Sequence, residues 1–140
     1  MPYKESWIER AKNPKHYTPV PIPTAHKETG YNPTCGDEIT LYLEPGNGKI
    51  LRALHTGVCC AVCKASADAL CDEIEYLPVR DAKAVVGAFR GVLGHTGNRG
   101  DLIRTDLAYE LCYVAEALPS RVRCADLAWR VAEGVLEGME

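Results

Sequence analysis

A membrane-spanning helix needs about 18 consecutive apolar residues, and the sequence has no apolar run of that length. It also lacks a long run of basic residues. The first absence argues against a helical membrane anchor. The second absence, with a formal net charge of −3, argues against a nucleic-acid partner. We therefore expect neither a membrane nor a nucleic acid among the partners of this protein.

An export signal is also missing, because residues 1–7 are polar and charged rather than apolar. We therefore expect a cytoplasmic protein. Its cysteine count, in contrast, is high: there are seven. An odd number without an export signal argues against a disulfide scaffold and leaves metal ligation, sulfur or redox chemistry, and buried packing. Cys71 and Cys112 fit packing, since each lies in an apolar helical pattern.

The composition is that of an ordinary globular chain. Of the 140 residues, 46% are hydrophobic and 25% are charged, which allows a real core. We find no repeat, no low-complexity tract and no linker. The sequence therefore predicts a single domain over residues 1–140.

Apolar periodicity and turn residues predict strands early and helices late. The strands form a hairpin around Pro45-Gly46-Asn47-Gly48, with a short edge strand before it. This order predicts an α+β fold in which a small antiparallel sheet of two to three strands carries about five helices, packed mainly on one face. The predicted elements are a helix over 6–12 capped by Ser6, an edge strand within 24–31, strands over 39–44 and 49–56, and helices over 61–75, 81–93, 102–118 and 121–138, the last capped at Ser120.

These patterns also predict which side chains are buried and which are exposed. Leu51, Ala53 and His55 are expected on one face of the second hairpin strand. Asp68 is expected to be exposed on its helix, and Leu118 to point inward. The last helix is expected to bury one stripe: Cys124, Leu127, Ala128, Val131 and Val135. Among the loop histidines, His16 is expected in solvent, and Trp129 is expected in the core.

A turn over residues 32–37 places a thiol and a carboxylate two positions apart, just before an alternating strand. Pro33 and Gly36 favour a tight turn, which can aim Cys35 and Asp37 at one point. Two ligands rarely make a tight metal site, so further ligands must come from elsewhere in the chain.

Cys60 and Cys124 are the candidates for those further ligands, because each is predicted in the first turn of a helix. A helix N-terminus carries partial positive charge and free N–H groups, which favour the thiolate. Arg121 and Arg123 flank Cys124 and add positive charge. The spacing alone leaves open whether Cys60 and Cys124 bind a metal or merely pack.

Three ordered motifs, at residues 32–37, 57–67 and 121–129, resemble those of a known family. They read Asn-Pro-Thr-Cys-Gly-Asp, Gly-Val-Cys-Cys-Ala-Val-Cys-Lys-Ala-Ser-Ala and Arg-Val-Arg-Cys-Ala-Asp-Leu-Ala-Trp. Together with Asn13-Pro14, they are similar to the iron–sulfur assembly family that includes the IscU scaffolds, the NifU N-terminal domain and SufU. The resemblance runs from about residue 10 to the C-terminus.

Within that family the chain resembles the SufU branch. Arg123 stands where the scaffold branch usually has a histidine, and an extra helical segment over roughly 95–118 precedes it. The resemblance implies zinc held by Cys35, Asp37, Cys60 and Cys124. It also implies a zinc-dependent sulfurtransferase that takes persulfide sulfur from a SufS-type cysteine desulfurase and passes it to downstream iron–sulfur assembly machinery.

Cys35 is then the expected catalytic thiol, because a loop ligand is released more easily than a helical one. A partner side chain would replace it on the metal, and Arg121 or Arg123 would support the anionic persulfide. The alternative is an iron–sulfur cluster scaffold that builds a [2Fe-2S] or [4Fe-4S] cluster on the same ligands.

Two thiols depart from the family pattern. Cys59 occupies a position where the family usually has glycine, and Cys63 forms a C-x-x-C with Cys60. They could be alternative ligands, a resolving thiol or packing residues. A disulfide oxidoreductase built on Cys60 and Cys63 is less favoured, since no βαβ pattern surrounds the motif. A purely structural zinc module is a further alternative.

Overall fold

The computed structural model describes residues 3–95 and 100–139. Within these residues the chain forms three β-strands, five α-helices and two short 3-10 turns, and none of the helices is long and apolar enough to cross a membrane. The elements are α1 Tyr3–Lys12, β1 His26–Asn32, β2 Asp37–Gly46, β3 Lys49–Val58, α2 Ala61–Ile74, α3 Val79–Leu93, α4 Asp106–Ala117 and α5 Val122–Glu137, with 3-10 turns at Gly100–Leu102 and Pro119–Arg121.

The strands form one antiparallel sheet in the order β1-β2-β3. β2 and β3 are the predicted hairpin, with Leu41 opposite His55, and β1 is the predicted edge strand, with Glu28 opposite Leu41. The alternating residues of β2 make this arrangement favourable, because Ile39, Leu41 and Leu43 are all buried. The α+β prediction is confirmed.

Two helices cover the sheet and define the core. α5 lies against β1 and β2, and α2 lies against β3 and α5. At the centre, Trp129 stacks on Phe89 with ring centroids 3.7 Å apart, and its indole N–H donates to Ser66 Oγ at 2.9 Å. The stripe predicted for α5 is confirmed, since all five of its residues are buried. Cys71 is fully buried and Cys112 half-buried.

The predicted face of β3 is wrong at Leu51. The register shifts between Glu44 and Pro45, so that Arg52 pairs with Glu44 while Ile50 pairs with Pro45. The extra residue breaks the two-residue alternation. As a result, Ile50 enters the core, whereas Leu51 remains 39% exposed.

Several predicted helix ends are also wrong. α1 begins at Tyr3, upstream of Ser6, and α4 begins only at Asp106, where Thr105 accepts the N–H of Ala108 and caps the helix. Leu118 follows the end of α4 and is 47% exposed. Ser120 lies inside a 3-10 turn, and α5 begins without a side-chain cap. Residues 96–99, at the start of the extra segment expected over roughly 95–118, lie outside the described residues.

Asp68 is buried rather than exposed, and it organises the N-terminal segment. Its carboxylate accepts hydrogen bonds from the Arg10 guanidinium, the Lys15 and His16 backbone N–H groups and His55 Nε2, at 2.8–3.0 Å. Burial alone would raise the pKa of Asp68, but these hydrogen bonds outweigh that effect and lower the pKa to about 2. One carboxylate therefore joins α1 and the following segment to β3 and α2.

His16 is also held by the fold rather than solvated. Its Nδ1 faces the carbonyl oxygen of Ala53 at 3.1 Å, and its Nε2 faces Asp72 at 2.8 Å. Both neighbours are acceptors, so the doubly protonated ring satisfies both. Burial alone would lower the pKa of His16, but the hydrogen bond to Asp72 and the charges of Asp68 and Glu75 raise it above 6.5.

Gly57, the first residue of the second cysteine motif, lets β3 pass close to β2. Its φ of +143° is one that other residues rarely adopt, and an added Cβ would meet the Glu38 carbonyl oxygen and lie 2.9 Å from the Ile39 Cα. Both obstacles are backbone atoms and cannot rotate away. A glycine is therefore required here.

We expect Gly57→Ala to lower the free energy of unfolding by about 1–3 kcal/mol, because it combines backbone strain with a backbone clash. Urea denaturation under reducing conditions measures this. Gly87→Ala is the matched control, since Gly87 lies on the exposed side of α3 with open space around its Cα; it should stabilise by about 0.5–1 kcal/mol. Equal stability of the two variants would contradict the requirement for Gly57.

We expect His16→Gln to destabilise the protein most at low pH. The folded pKa of His16 lies above the unfolded value, so the stabilisation is full below about pH 6.5 and is lost as the pH rises through the folded pKa. The difference in unfolding free energy between wild type and variant should therefore shrink with rising pH. His26→Gln, at an exposed position, should follow the wild-type profile. A pH-independent difference for His16→Gln would contradict this prediction.

Candidate metal centre

Three of the four predicted ligands meet at one point. A thiol sulfur from Cys35, a carboxylate oxygen from Asp37 and a thiol sulfur from Cys124 all lie within 4.8 Å of one another. The two sulfurs are 3.6 Å apart. Sulfurs that share a tetrahedral zinc ion at the usual bond length are about 3.8 Å apart. The spacing of these groups is thus suited to one small cation.

The loop between β1 and β2 presents Cys35. Asn32 pairs with Asp37 at the end of the two strands, and four residues connect them. Gly36 has a φ of +74°, and its N–H donates to the Asn32 carbonyl at 2.8 Å. The side chain of Asn32 accepts the Thr34 N–H at 3.3 Å. Cys35 is consequently exposed at the tip of a well-defined turn.

Asn32 was not among the predicted site residues, although it sets the turn. Asparagine before proline is a recognised turn signal, because its side chain can accept a nearby backbone N–H. Asn32 is 5% exposed. Within the described residues its Nδ2 has no hydrogen-bond partner.

Asp37 is the buried oxygen of the centre and is 1% exposed. Its Oδ1 accepts the Cys60 N–H at 2.9 Å. Its Oδ2 is buried and has no hydrogen-bond partner among the residues that the structure describes. A buried carboxylate oxygen without a donor is costly, and a bound cation removes that cost.

Cys60 lies at the edge of the group. It is the N-cap of α2, and its sulfur accepts the Cys63 N–H at 3.5 Å. The three-residue group does not include the Cys60 sulfur, although the Cys60 N–H reaches the Asp37 carboxylate of that group. Cys60 as a fourth ligand stays a prediction.

Cys124 is held in the first turn of α5 by a contact to α2. Ser66 Oγ donates to the Ala125 carbonyl at 2.6 Å and accepts the Trp129 indole N–H. Burial, followed by the neighbouring side chains of Asp37, Cys35 and Cys60, raises the pKa of the Cys124 thiol. The arrangement disfavours a thiolate at Cys124 until a cation offsets the clustered negative charge.

The two arginines that were predicted to support the site lie on different sides of α5. Arg121 is exposed and lies beside the sulfurs: a hydrogen bond with Cys124, then the charge of Cys60, raises its pKa. Arg123 instead lines a groove against α3 with Arg90 and Asp126. Because the two arginines are two positions apart at the start of α5, their side chains point to different sides of the helix.

Cys59 and Cys63 lie on either side of the Cys60 cap. The neighbouring Cys63 thiol lowers the pKa of Cys59, whereas Cys59 and then burial raise the pKa of Cys63. Within the C-x-x-C motif, the Cys60 sulfur accepts the Cys63 backbone N–H, and the roles open to Cys63 stay predictions. All seven cysteines, which lie within the described residues, are free of disulfides.

The donor set fits zinc. It offers two sulfurs and one carboxylate oxygen, from Cys35, Cys124 and Asp37. With the Cys60 sulfur added, it would be the kind of soft ligand set that Zn²⁺ accepts in four-coordinate sites. The unpartnered Asp37 oxygen and the close sulfurs both argue for a cation here. The same thiolates also suit an iron–sulfur cluster.

Comparison with known proteins agrees with this architecture. An iron–sulfur cluster assembly scaffold protein, IscU, from Thermotoga maritima is 29% identical over 98% of this chain and 94% of its own length. A SufU from Fervidobacterium islandicum, described as a scaffold for iron–sulfur cluster assembly in the SUF system, has a TM-score of 0.82 and 26% identity over 93% of each chain.

A more distant structure shares the fold. The N-terminal part of a nitrogen-fixing NifU-like protein from Brucella abortus has a TM-score of 0.76 and 18% identity, over 96% of this chain and 92% of its own. The family profile for the NifU-like N terminal domain matches residues 2–94, which carry two of the three cysteine motifs. The chain belongs to the NifU-like N-terminal domain family.

Proposed function

We propose that this protein works in iron–sulfur cluster assembly as a zinc-dependent sulfurtransferase, accepting persulfide sulfur on Cys35 from a SufS-type cysteine desulfurase. The observation that carries the proposal is the buried Asp37 carboxylate, with one unpartnered oxygen, close to the sulfurs of Cys35 and Cys124. The structural similarity to a SufU supports the same branch of the family. The chemistry needs reduced thiols, which the cytoplasm maintains.

Cys35, Asp37, Cys60 and Cys124 would hold the zinc ion. A bound zinc ion keeps its cysteine ligands as thiolates at neutral pH. The differing placement of the ligands then assigns their roles. Asp37 and Cys124 are buried and anchored to β2 and α5, whereas Cys35 is exposed on a loop. Cys35 is the sulfur that a partner protein can reach.

The transfer step is a thiol–persulfide exchange. The Cys35 thiolate attacks the outer sulfur of the desulfurase persulfide, a new S–S bond forms, and the desulfurase thiolate leaves. No net oxidation or reduction occurs, because one persulfide replaces another. Arg121, exposed beside the sulfurs, can pair with the persulfide anion and hold it for the next acceptor.

The surface around Cys35 can receive a partner. Tyr31 lies opposite Glu38 on one side, and Val58 lies opposite Glu38 on the other. Tyr31 is 56% and Val58 is 80% exposed. Exposed apolar side chains next to a reactive thiol favour docking of a protein rather than a free metabolite. This supports a desulfurase as the sulfur donor.

A scaffold function is the second candidate, because the Thermotoga maritima relative and the Fervidobacterium islandicum SufU are both described as scaffolds. A scaffold would assemble a [2Fe-2S] or [4Fe-4S] cluster from iron and sulfide on the same four ligands. The two functions therefore differ in what the centre holds.

We expect protein purified without oxygen to be colourless and to contain about one zinc ion per chain, without labile sulfide. Cys124→Ser should weaken zinc binding by at least about tenfold, since it removes a buried ligand. Competition with a chromophoric chelator measures the affinity. Cys112→Ser is the matched control, because Cys112 is a half-buried thiol outside the cysteine group. A brown protein with iron and sulfide would support the scaffold function instead.

We expect Cys35→Ser to abolish stimulation of a SufS-type desulfurase, with a loss of at least about tenfold, because the accepting nucleophile is gone. Sulfide or alanine production with excess cysteine measures the stimulation, and mass spectrometry locates the persulfide. Cys112→Ser should stimulate like wild type. A Cys35→Ser protein that stimulates fully would contradict the assignment of Cys35.

A further inference from the structure

A cavity separate from the metal centre lies between the end of α3, one face of α4 and the first residue of α5. Its volume is about 610 Å³, which is within the range of cavities that bind small molecules. Its apolar wall includes Val92 and Leu93 of α3, Ala115 of α4 and Val122 of α5. Within the described part of the chain, the cavity shares no lining residue with the cysteine and aspartate group of the metal centre.

The polar wall of this cavity is acidic. Asp106, Glu110 and Glu116 all belong to α4 and contribute three carboxylates. Among the described residues that line the cavity there is no lysine or arginine, and His95 is the one side chain that can carry positive charge. A wall with this excess of negative charge favours a cationic ligand over an anionic one.

Glu110 is the buried carboxylate of the wall, whereas Asp106 and Glu116 are exposed. Glu110 is 3% exposed, and both of its carboxylate oxygens are buried without a hydrogen-bond partner among the residues that the structure describes. Burial raises the pKa of Glu110 to about 7. A buried carboxylate without donors is costly, and a ligand that donates to both oxygens removes that cost.

The spacing of the three carboxylates does not suit a single metal ion. Among the described residues, the group whose ligand atoms all lie within 4.8 Å of one another is that of Cys35, Asp37 and Cys124, and the carboxylates of α4 form no such group. Their charge is spread along the helix instead, because Glu110 is four residues after Asp106 and six before Glu116. An extended organic cation matches this distribution better than a metal ion does.

Two tyrosines add an aromatic surface to the mouth of the cavity. Tyr109 and Tyr113 line it and are four residues apart, which places them one turn apart on the same side of α4. They are 48% and 67% exposed. The Tyr109 hydroxyl donates to the Gly100 carbonyl oxygen at 2.7 Å, which holds its ring in place. Aromatic rings of this kind attract cations and also pack against other rings.

We propose that this cavity binds a small organic cation with a planar amidinium or guanidinium head and an apolar body. Both oxygens of Glu110 are free to accept hydrogen bonds, and a planar cation of this class donates two parallel N–H groups to a carboxylate. The apolar wall between α3 and α5 then receives the body of the ligand. The site lies outside the sulfur-transfer centre and does not rest on the proposed function.

The test titrates the full-length protein, purified without oxygen, with three probes of nearly equal shape: benzamidinium, the neutral benzamide and the anionic benzoate. Calorimetry measures affinity, and ¹⁵N-resolved NMR locates the site. Benzamidinium should bind at least about tenfold more tightly than the other two and should shift amide signals of α4 and the end of α3. Equal binding of benzamide, no binding of benzamidinium, or shifts centred on residues 32–37 would each overturn the proposal.

Glu110→Gln should weaken benzamidinium binding by at least about tenfold, because it keeps the size of the side chain and removes its charge. Tyr113→Leu, at an exposed position that tolerates the change, should weaken binding by about two- to fivefold through loss of the cation–π contact. Glu137→Gln is the matched control, since Glu137 is an exposed residue of α5 outside the cavity; it should bind like wild type. Wild-type binding by Glu110→Gln and Tyr113→Leu, or an equal loss in Glu137→Gln, would contradict the site.

Thermal unfolding separates a binding role of Glu110 from a structural one. Benzamidinium should raise the unfolding midpoint of wild type but not that of Glu110→Gln. Without ligand, Glu110→Gln should be at least as stable as wild type, because it removes a buried charge that has no partner. A ligand-free Glu110→Gln protein that unfolds well below wild type would show that the carboxylate serves the fold, and the proposal would fail while the sulfur-transfer proposal stands.

Discussion

The hydrogen bond from the Cys60 N–H to Asp37 Oδ1 connects the parts of the molecule on which the centre depends. It ties the start of β2 to the N-terminus of α2 at 2.9 Å. Because one carboxylate oxygen is used in this bond, the other is left buried and unpartnered among the described residues. The same contact thus fixes the geometry of two ligands and creates the need for a cation.

Two further contacts keep that geometry rigid. Ser66 joins α2 to α5 next to Cys124, and Asp68, two residues later in α2, gathers the N-terminal segment onto α2 and β3. Fully satisfied buried polar groups such as these specify one arrangement of the elements. Cys35, in contrast, is exposed on the turn between β1 and β2, which suits a group that must accept sulfur and pass it on.

The regular elements were predictable because their information is local. The α5 stripe and the β2–β3 hairpin follow from apolar spacing and turn residues, and both are confirmed. Asp68 was placed wrongly because its partners come from Arg10, His16 and His55, far away in sequence. No local pattern distinguishes a buried carboxylate from an exposed one. A bulge such as the one at Leu51 likewise depends on strand pairing rather than on alternation.

The site was predictable in its residue types but less so in its pairings. The turn motif and the helix starts identify Cys35, Asp37 and Cys124, which the structure brings together. The C-x-x-C spacing does not show where the Cys60 sulfur points; in the structure that sulfur caps α2 and accepts the Cys63 N–H. Side-chain direction at a helix end depends on the path of the preceding strand, which spacing does not encode.

The stacking of Trp129 on Phe89 has a consequence for the optical spectrum of the protein. Trp129 lies one and a half turns after Cys124 on α5, sealed against Phe89 with a 5° angle between the rings. A rigid, asymmetric indole of this kind gives strong near-ultraviolet circular dichroism. Since the same helix carries Cys124, a displacement of α5 that moves this cysteine would also disturb the indole. The protein therefore contains an intrinsic chromophore that reports movements of its own metal-binding helix.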